Sequence, residues 1–312
     1  LSDEQIETMR LWVELGAPDP RVQTVDSMGQ ANKLPNPFDR DSSQHWAFQS
    51  PAKAGPPKRS IDSSRDVIDD FALAAAESAG VSINPNADDE TMIRRLAFDL
   101  TGLPATVDQI EGYKRSGRAD KYSRLVDQML ASPEFGERFG RHWLDVARYA
   151  DTLGYATAGK ERRYEGSERY RDWVINAFAS DMPYNQMVMH QLAADHTDPD
   201  GSHGNLDAMG FLTLGRKFLN GHDTTDDQID VITRGLLGMT VTCARCHDHK
   251  FDPIPTTDYY ALFGVMKSSR QPKDGPSPLM MVDQDKPRDH HVFVRGQAGN
   301  RGEIAERQFL TS

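Results

Sequence analysis

The sequence predicts a mainly α fold, a multi-helix domain with long irregular loops and little β. Three observations predict it. Apolar residues recur three and four apart from Ser64 to about residue 270. Helix start and stop signals punctuate that region: a Thr106/Gln109 capping box, Ser132-Pro133, and glycines at 80 and 102. Strand-like sequence is confined to a short run in the tail, HHVFV.

The first element is LSDEQIETMRLWVELGAPDP, which reads as a helix with a Ser2/Gln5 capping box, an apolar face of Ile6, Met9, Trp12 and Val13, and a stop at Gly16 and Pro18. A lone helix of this length cannot bury its own face, so it docks on the downstream chain or closes a domain lying upstream. Residues 19–62 read as a linker wrapped over the surface, with Trp46 and Phe48 of HWAF as its anchor. SRDVIDDFALAAAESAG is a helix with apolar residues at 67, 68, 71, 72, 75 and 79. DDETMIRRLAFDLTGLP is another, facing inward through Met92, Leu96 and Leu100. TVDQIEGYKRSG and ADKYSRLVDQMLAS come next, and then SPEFGERFGRHWLDVARYAD, where Ser132 is the expected cap. SERYRDWVINAFASD, DMPYNQMVMHQLAAD, DDQIDVITRGLLGMTVT and TTDYYALFGVMKSS complete the helices. Two Gly- and Asp-rich loops, 151–167 and 196–207, are long enough to be functional. The expected organisation is 1–18, the last helix of a truncated upstream module; 19–62, linker; 63–270, the helical domain with the C-x-x-C-H motif; 271–312, a connection and the start of a second domain.

Composition narrows function. With 312 residues the chain has room for one large domain or two ordinary ones. Lys+Arg 36 against Asp+Glu 47 gives 36 − 47 = −11, which argues against nucleic acid as the main partner. No run of about 18 apolar residues exists to form a transmembrane segment. The chain opens on Leu1 rather than Met, without a signal peptide, and reads there as the middle of a longer protein. Two cysteines exclude a disulfide framework.

Both cysteines fall in one stretch, CARCHDHKFDP (243–253). C-x-x-C-H is the spacing of covalent haem attachment. Cys243 and Cys246 would add across the two porphyrin vinyl groups, and His247 would ligate the iron. Alternatives remain open. Cys243 and Cys246 with His247 and His249 would make a zinc site. His247, His249 and Asp252, in H-D-H-x-x-D, would hold zinc or another divalent metal for hydrolysis. A buried thiol pair with a coincidental histidine is a further reading, and a non-catalytic scaffold domain, with haem lost or never attached, is another. If His247 binds haem iron, His249 is too close in sequence to reach the opposite ring face. It would then support a propionate or be a separate ligand. For that opposite face His142 is the first candidate, because it lies on a stripe of Phe135, Phe139, His142, Val146 and Tyr149. A core histidine bonded to backbone is the competing reading, and His45, Met239 and Met266 are lesser candidates. Asp145, Arg148 and Asp151 would line a polar cleft toward the 151–167 loop, or else form a salt-bridged surface. Arg171, Asp172 and Trp173 make a similar cluster, and Gln191 and Asp195 are placed to face the same cleft.

FDLTGLP (98–104), SPEFGERFGRHWLDVARYADTLGY (132–155), YRDWVINAF (170–178), QLAADH (191–196) and CARCHDHKFDPI (243–254) succeed one another in an order that resembles the planctomycete-type cytochrome c family. Its members join a cytochrome c module to two paired domains of unknown function, and the resemblance covers most of residues 45–270, the first of the pair. LSDEQIETMRLWVELGAP is similar to the last helix of the cytochrome c module, and HVFVRGQAGNRGEIAERQFL to the opening of the second domain. The resemblance implies an exported protein, periplasmic or at the cell surface, with haem c at Cys243, Cys246 and His247. Its partners would be a redox protein or its own flanking domains. Relatives beside sulfatases and polysaccharide-degrading systems imply a glycan substrate. The chain departs from the pattern in three places. The module's own haem motif is missing, the connection from 270 to 290 is short, and His190, Ala194, Asp195 and His196 replace the usual residues around QLA.

Overall fold

A computed structural model describes residues 2–14, 45–57, 66–153, 162–215 and 220–311. Among them it has eleven α-helices, with 56% helix against 6% strand, so the chain is mainly α as its sequence predicts. The chain divides into two compact units, Leu1–Gln49 with Lys250–Pro253 and Ser312, and Ser50–His249 with Ile254–Thr311.

In the first unit, α1 (Asp3–Glu14) starts on the expected capping box. The Ser2 N–H donates to Gln5 Oε1 (2.9 Å) and the Gln5 N–H to Ser2 Oγ (3.3 Å). Ile6, Met9, Trp12 and Val13 are all exposed, and the stop at Gly16 and Pro18 lies outside the described residues. Trp46–Phe48 forms a short 3-10 turn whose Ala47 N–H donates to His45 Nδ1 (3.3 Å). Trp46 is 81% exposed, so it is not the anchor expected of it; Phe48 is partly buried. Most of the linker, 19–44 and 58–62, lies outside the described residues.

The second unit begins with α2 (Val67–Ser78), capped by Asp66 through the N–H groups of Ile68 and Asp69. Ser64 lies outside the described residues. No residue of α2 is buried, and its Val67, Ile68 and Phe71 are exposed. Helices α3 (Asp89–Thr101), α4 (Val107–Arg115) and α5 (Lys121–Leu130) enclose a small core of Ile93, Ala97, Tyr113, Leu125 and Met129. The expected inward row of α3, Met92, Leu96 and Leu100, only flanks Ile93 and Ala97. The capping box of α4 is present, with Thr106 N–H to Gln109 Oε1 at 2.8 Å and Gln109 N–H to Thr106 Oγ1 at 3.2 Å.

α6 (Pro133–Val146) packs closely on α7 (Ser167–Ala179), because two glycines four apart remove side chains from the contact. A Cβ on Gly136 would stand 2.8 Å from both the Ile175 carbonyl oxygen and Ala179 Cβ. One on Gly140 would stand 3.1 Å from Ile175 Cγ1. The inner face of α6 is therefore Gly136, Gly140, Trp143 and, just past its end, Ala147. This corrects the reading of His142 as the centre of an apolar face. His142 is exposed, and its aromatic neighbour is Phe139, 6.2 Å away. Ser132 has the extended backbone of a cap but makes no side-chain cap bond.

α8 (Tyr184–Thr197) is interrupted at Ala193, where the backbone leaves helical values. After it come α9 (Gly210–Thr213), α10 (Gly221–Leu237) and α11 (Thr256–Lys267). Strands β1 (Ser269–Arg270) and β2 (Val282–Asp283) pair antiparallel, as do β3 (His290–Phe293) and β4 (Arg301–Ala305). The largest core gathers Tyr170, Val174, Ala194, Phe211, Leu214 and Val231. A second core, with Ile229, Val241, Ala244, Ile254, Tyr260 and Phe293, carries the C-x-x-C-H stretch. No helix among the described residues is long and apolar enough to cross a membrane.

Candidate functional site

α10 ends at Gly238, whose φ of +68° is left-handed and favours glycine; the N–H groups of Gly238 and Met239 donate to the carbonyls of Arg234 and Thr233. The chain then forms a 3-10 turn, Val241–Arg245. With three residues per turn, positions three apart share a side. Val241 and Ala244 are fully buried in the second core, and Cys243 and Cys246 are exposed free thiols. Three steps of about 2 Å put the cysteines about 6 Å apart along the turn axis.

The turn is held from within. Arg245, between the cysteines, donates to Asp223 Oδ1 (2.8 Å) with Asp226 Oδ2 at 3.6 Å. Tyr260 donates its hydroxyl to the Arg245 carbonyl (3.0 Å), and burial pushes that phenol up to about 12. Gly296, at φ +72°, lies against the Cys246 sulfur, and a Cβ there would stand 2.6 Å from Sγ.

His247 is exposed, and its Nδ1 faces the Asp248 carbonyl at 2.8 Å. A carbonyl only accepts, so Nδ1 carries the proton and Nε2 keeps its lone pair, the tautomer a metal ligand needs. Asp248 Oδ1 accepts from the Thr256 N–H (2.8 Å) and hydroxyl (3.1 Å), capping α11 in place of Pro255. His249 is buried, with Nε2 3.0 Å from Thr240 Oγ1. The two histidines of H-D-H thus take different environments. Among the described residues, the three-ligand group whose atoms lie within 4.8 Å of one another is Asp198, Asp200 and His203. Asp252 is half-buried and falls in the first unit. Met239 and Met266 pack against the second core.

The donor set suits a covalently held porphyrin: two outward thiols one turn apart, succeeded by an imidazole with Nε2 open.

The residues expected to line a polar cleft separate into two groups. Arg148, at φ +48°, is a cross-link. Its Nε and Nη2 bond Asp227 Oδ2 (2.9 and 2.6 Å), and its Nη1 donates to the carbonyls of Phe211 (2.9 Å) and Ala147 (3.1 Å). Gly215 lets this pair approach, since a Cβ there would stand 2.4 Å from the guanidinium. Tyr149 donates to Asp151, and burial, then that bond, pushes the phenol up to about 12. Arg171 bonds Asp172 (2.8 Å) and feels the charge of Asp151. Asp151 and Asp172 therefore share an exposed polar patch, and Arg148 serves a half-buried joint. Asp145 is exposed.

Residues 67–271 match the family PSCyt2, described as a protein of unknown function (DUF1549). The chain belongs to this family. No curated protein and no solved structure matches it.

The PSCyt2 region takes in the C-x-x-C-H turn and the Arg148–Asp227 joint; α1 and the β3–β4 pair lie outside it. It also contains two polar centres that periodicity did not reveal. Gln191, fully buried, accepts from Trp143 Nε1 (2.7 Å) and the Tyr170 hydroxyl (2.8 Å), and donates to the Met187 carbonyl (3.1 Å). It is a core hub and not a cleft residue. Asp198, also buried, ties the 196–207 loop by accepting from the N–H groups of Asn205 (2.8 Å) and His203 (3.2 Å) and lying 3.1 Å from His203 Nδ1. Burial raises its carboxyl, and those bonds outweigh burial to hold it below the usual carboxylate range. Asp195 moves the other way, pushed up by burial.

Proposed function

We propose that this PSCyt2 chain is an exported, periplasmic or cell-surface domain that carries haem c on Cys243 and Cys246, with His247 as an iron ligand. Its role would be electron transfer or a redox step linked to polysaccharide breakdown. The observation that carries the reading is the 3-10 turn, which buries Val241 and Ala244 and leaves Cys243 and, at its C-terminal cap, Cys246 exposed, next to an imidazole with Nε2 open. Bound haem would supply one-electron exchange at its iron.

The chain's own residues do the rest. Cys243 and Cys246 bind the group. Asp248, through its carbonyl, orients His247, and through its carboxylate fixes the start of α11. Arg245 and Tyr260 hold the turn rigid against the second core. Gly296 leaves room beside the Cys246 sulfur. The exposed patch of Asp151, Arg171 and Asp172, with the half-buried Tyr149 beside it, is proposed as the surface that meets a redox partner, a flanking domain or a glycan. The family resemblance supports the exported setting and the link to glycans.

The test is an optical spectrum of protein matured in a compartment that attaches haem covalently. The proposal expects sharp reduced c-type bands that change in position or intensity in His247→Ala. A colourless protein from cells that mature a control cytochrome c would overturn it.

A further inference from the structure

We propose that the cavity between the start of α10, the end of α11 and the β3–β4 pair binds a tetrahedral oxyanion, phosphate or sulfate, free or as an ester. The cavity is about 480 Å³, within the range of small-ligand sites. His222, Lys267, Lys286, Arg288, His290 and Arg301 line it. Four of these are cations, in a chain whose net charge is −11. The carboxylate in the lining, Asp289, is already paired with Arg307, which stands outside the wall (Nε to Oδ1, 3.1 Å).

The positive charge is not cancelled locally. Lys267 donates to the Gly221 carbonyl (2.8 Å), a neutral partner. Among the described residues Lys286, Arg288 and Arg301 form no ion pair. Burial lowers Lys267, and burial first, then Lys267 and Arg245, lower His222 against the pull of Asp223. The buried Nδ1 of His222 has no hydrogen-bond partner. The α10 amides are not the source of the attraction, because the N–H groups of His222 and Asp223 are spent on Asn220 Oδ1. The recognising groups are side chains.

The walls are preformed. His290 packs on Phe263 (4.6 Å) and Phe293 (4.9 Å), and its Nδ1 is fixed by the His291 carbonyl (2.9 Å). His291 is fixed in turn by the Gly302 carbonyl (3.0 Å). Arg288 and Arg301 are exposed, so an ester group can enter while its carrier stays in solvent. Guanidinium groups match the oxygens of phosphate and sulfate in paired hydrogen bonds.

The test is calorimetric titration of the full chain with inorganic phosphate, inorganic sulfate and dextran sulfate at constant ionic strength. The proposal expects saturable binding of phosphate or sulfate at one site per chain. Binding should weaken about tenfold or more in Arg288→Glu/Arg301→Glu and stay unchanged in Arg115→Gln on α4. An unchanged melting temperature in the double variant shows that its loss is not unfolding. Tighter binding of dextran sulfate per sulfate group assigns the site to esters, and equal binding assigns it to the free ion. No saturable binding of any of the three, or equal binding by the double variant, overturns the proposal.

Discussion

Alanine at Gly136 should destabilise the chain, although alanine is the better helix former. The new Cβ would lie 2.8 Å from the Ile175 carbonyl oxygen and 2.8 Å from Ala179 Cβ. Comfortable carbon contacts are about 3.5–4.0 Å, so α6 and α7 must separate by about 1 Å. A backbone carbonyl cannot rotate out of the way as a side-chain tip can. Overpacking of this kind costs about 3 kcal/mol at its upper end, and the helix propensity gained returns about 1 kcal/mol. The net loss is about 2 kcal/mol. Gly112, on the exposed side of α4, is the control, since a Cβ there meets nothing within 4 Å. Gly112→Ala should stabilise by up to about 1 kcal/mol. Urea unfolding monitored by far-UV circular dichroism measures both. At a slope of about 1–3 kcal/mol per molar urea, the two midpoints should separate by about 1 M or more. A Gly136→Ala chain as stable as the parent, or a Gly112→Ala chain that loses as much, would refute the close α6–α7 packing.

Other substitutions probe the joints around the site. Gln191→Leu strands the Trp143 indole N–H and the Tyr170 hydroxyl, and thermal melting should show a loss of about 2–4 kcal/mol. Arg148→Met leaves Asp227 and the Phe211 carbonyl unmatched and should cost about 3 kcal/mol, part of it recovered by adding Asp227→Asn, as a double-mutant cycle in urea would show. Gly296→Ala combines a left-handed backbone costing about 1–2 kcal/mol with a clash against Cys246, so timed alkylation and peptide mass spectrometry should find Cys246 altered relative to Cys243. Thr106→Ala removes one half of the α4 capping box and should cost about 1 kcal/mol by the same melts.

Local signals in the sequence translated well. The two capping boxes, Ser2/Gln5 and Thr106/Gln109, form as written, because each depends on four consecutive residues. The mainly α class came from periodicity over most of the chain. The inner face of α6 did not. The apolar stripe of α6 runs through Phe139 and His142, while Gly136 and Gly140, on a face turned about 100° from it, make the closest approach to α7. Their spacing of four in FGERFG was the signal that could have found it. Arg148 and Gln191 were recognisable as notable polar residues, but their partners Asp227, Trp143 and Tyr170 lie far along the chain, where spacing says nothing. The cysteine turn was legible as a motif. What its spacing could not show was a 3-10 turn with thiols outward, His249 drawn inward to Thr240, and Gly296 closing in from beyond β3.

The central claim is covalent haem at Cys243 and Cys246, and the intact mass of the denatured chain tests it most directly. Protein matured in a haem-attaching compartment should carry the added mass of one haem after acid denaturation and solvent extraction. Tryptic mapping should place that mass on the peptide holding both cysteines, and Cys243→Ser/Cys246→Ser should lack it. A denatured chain at its bare polypeptide mass, with both thiols free to alkylation, would contradict the account.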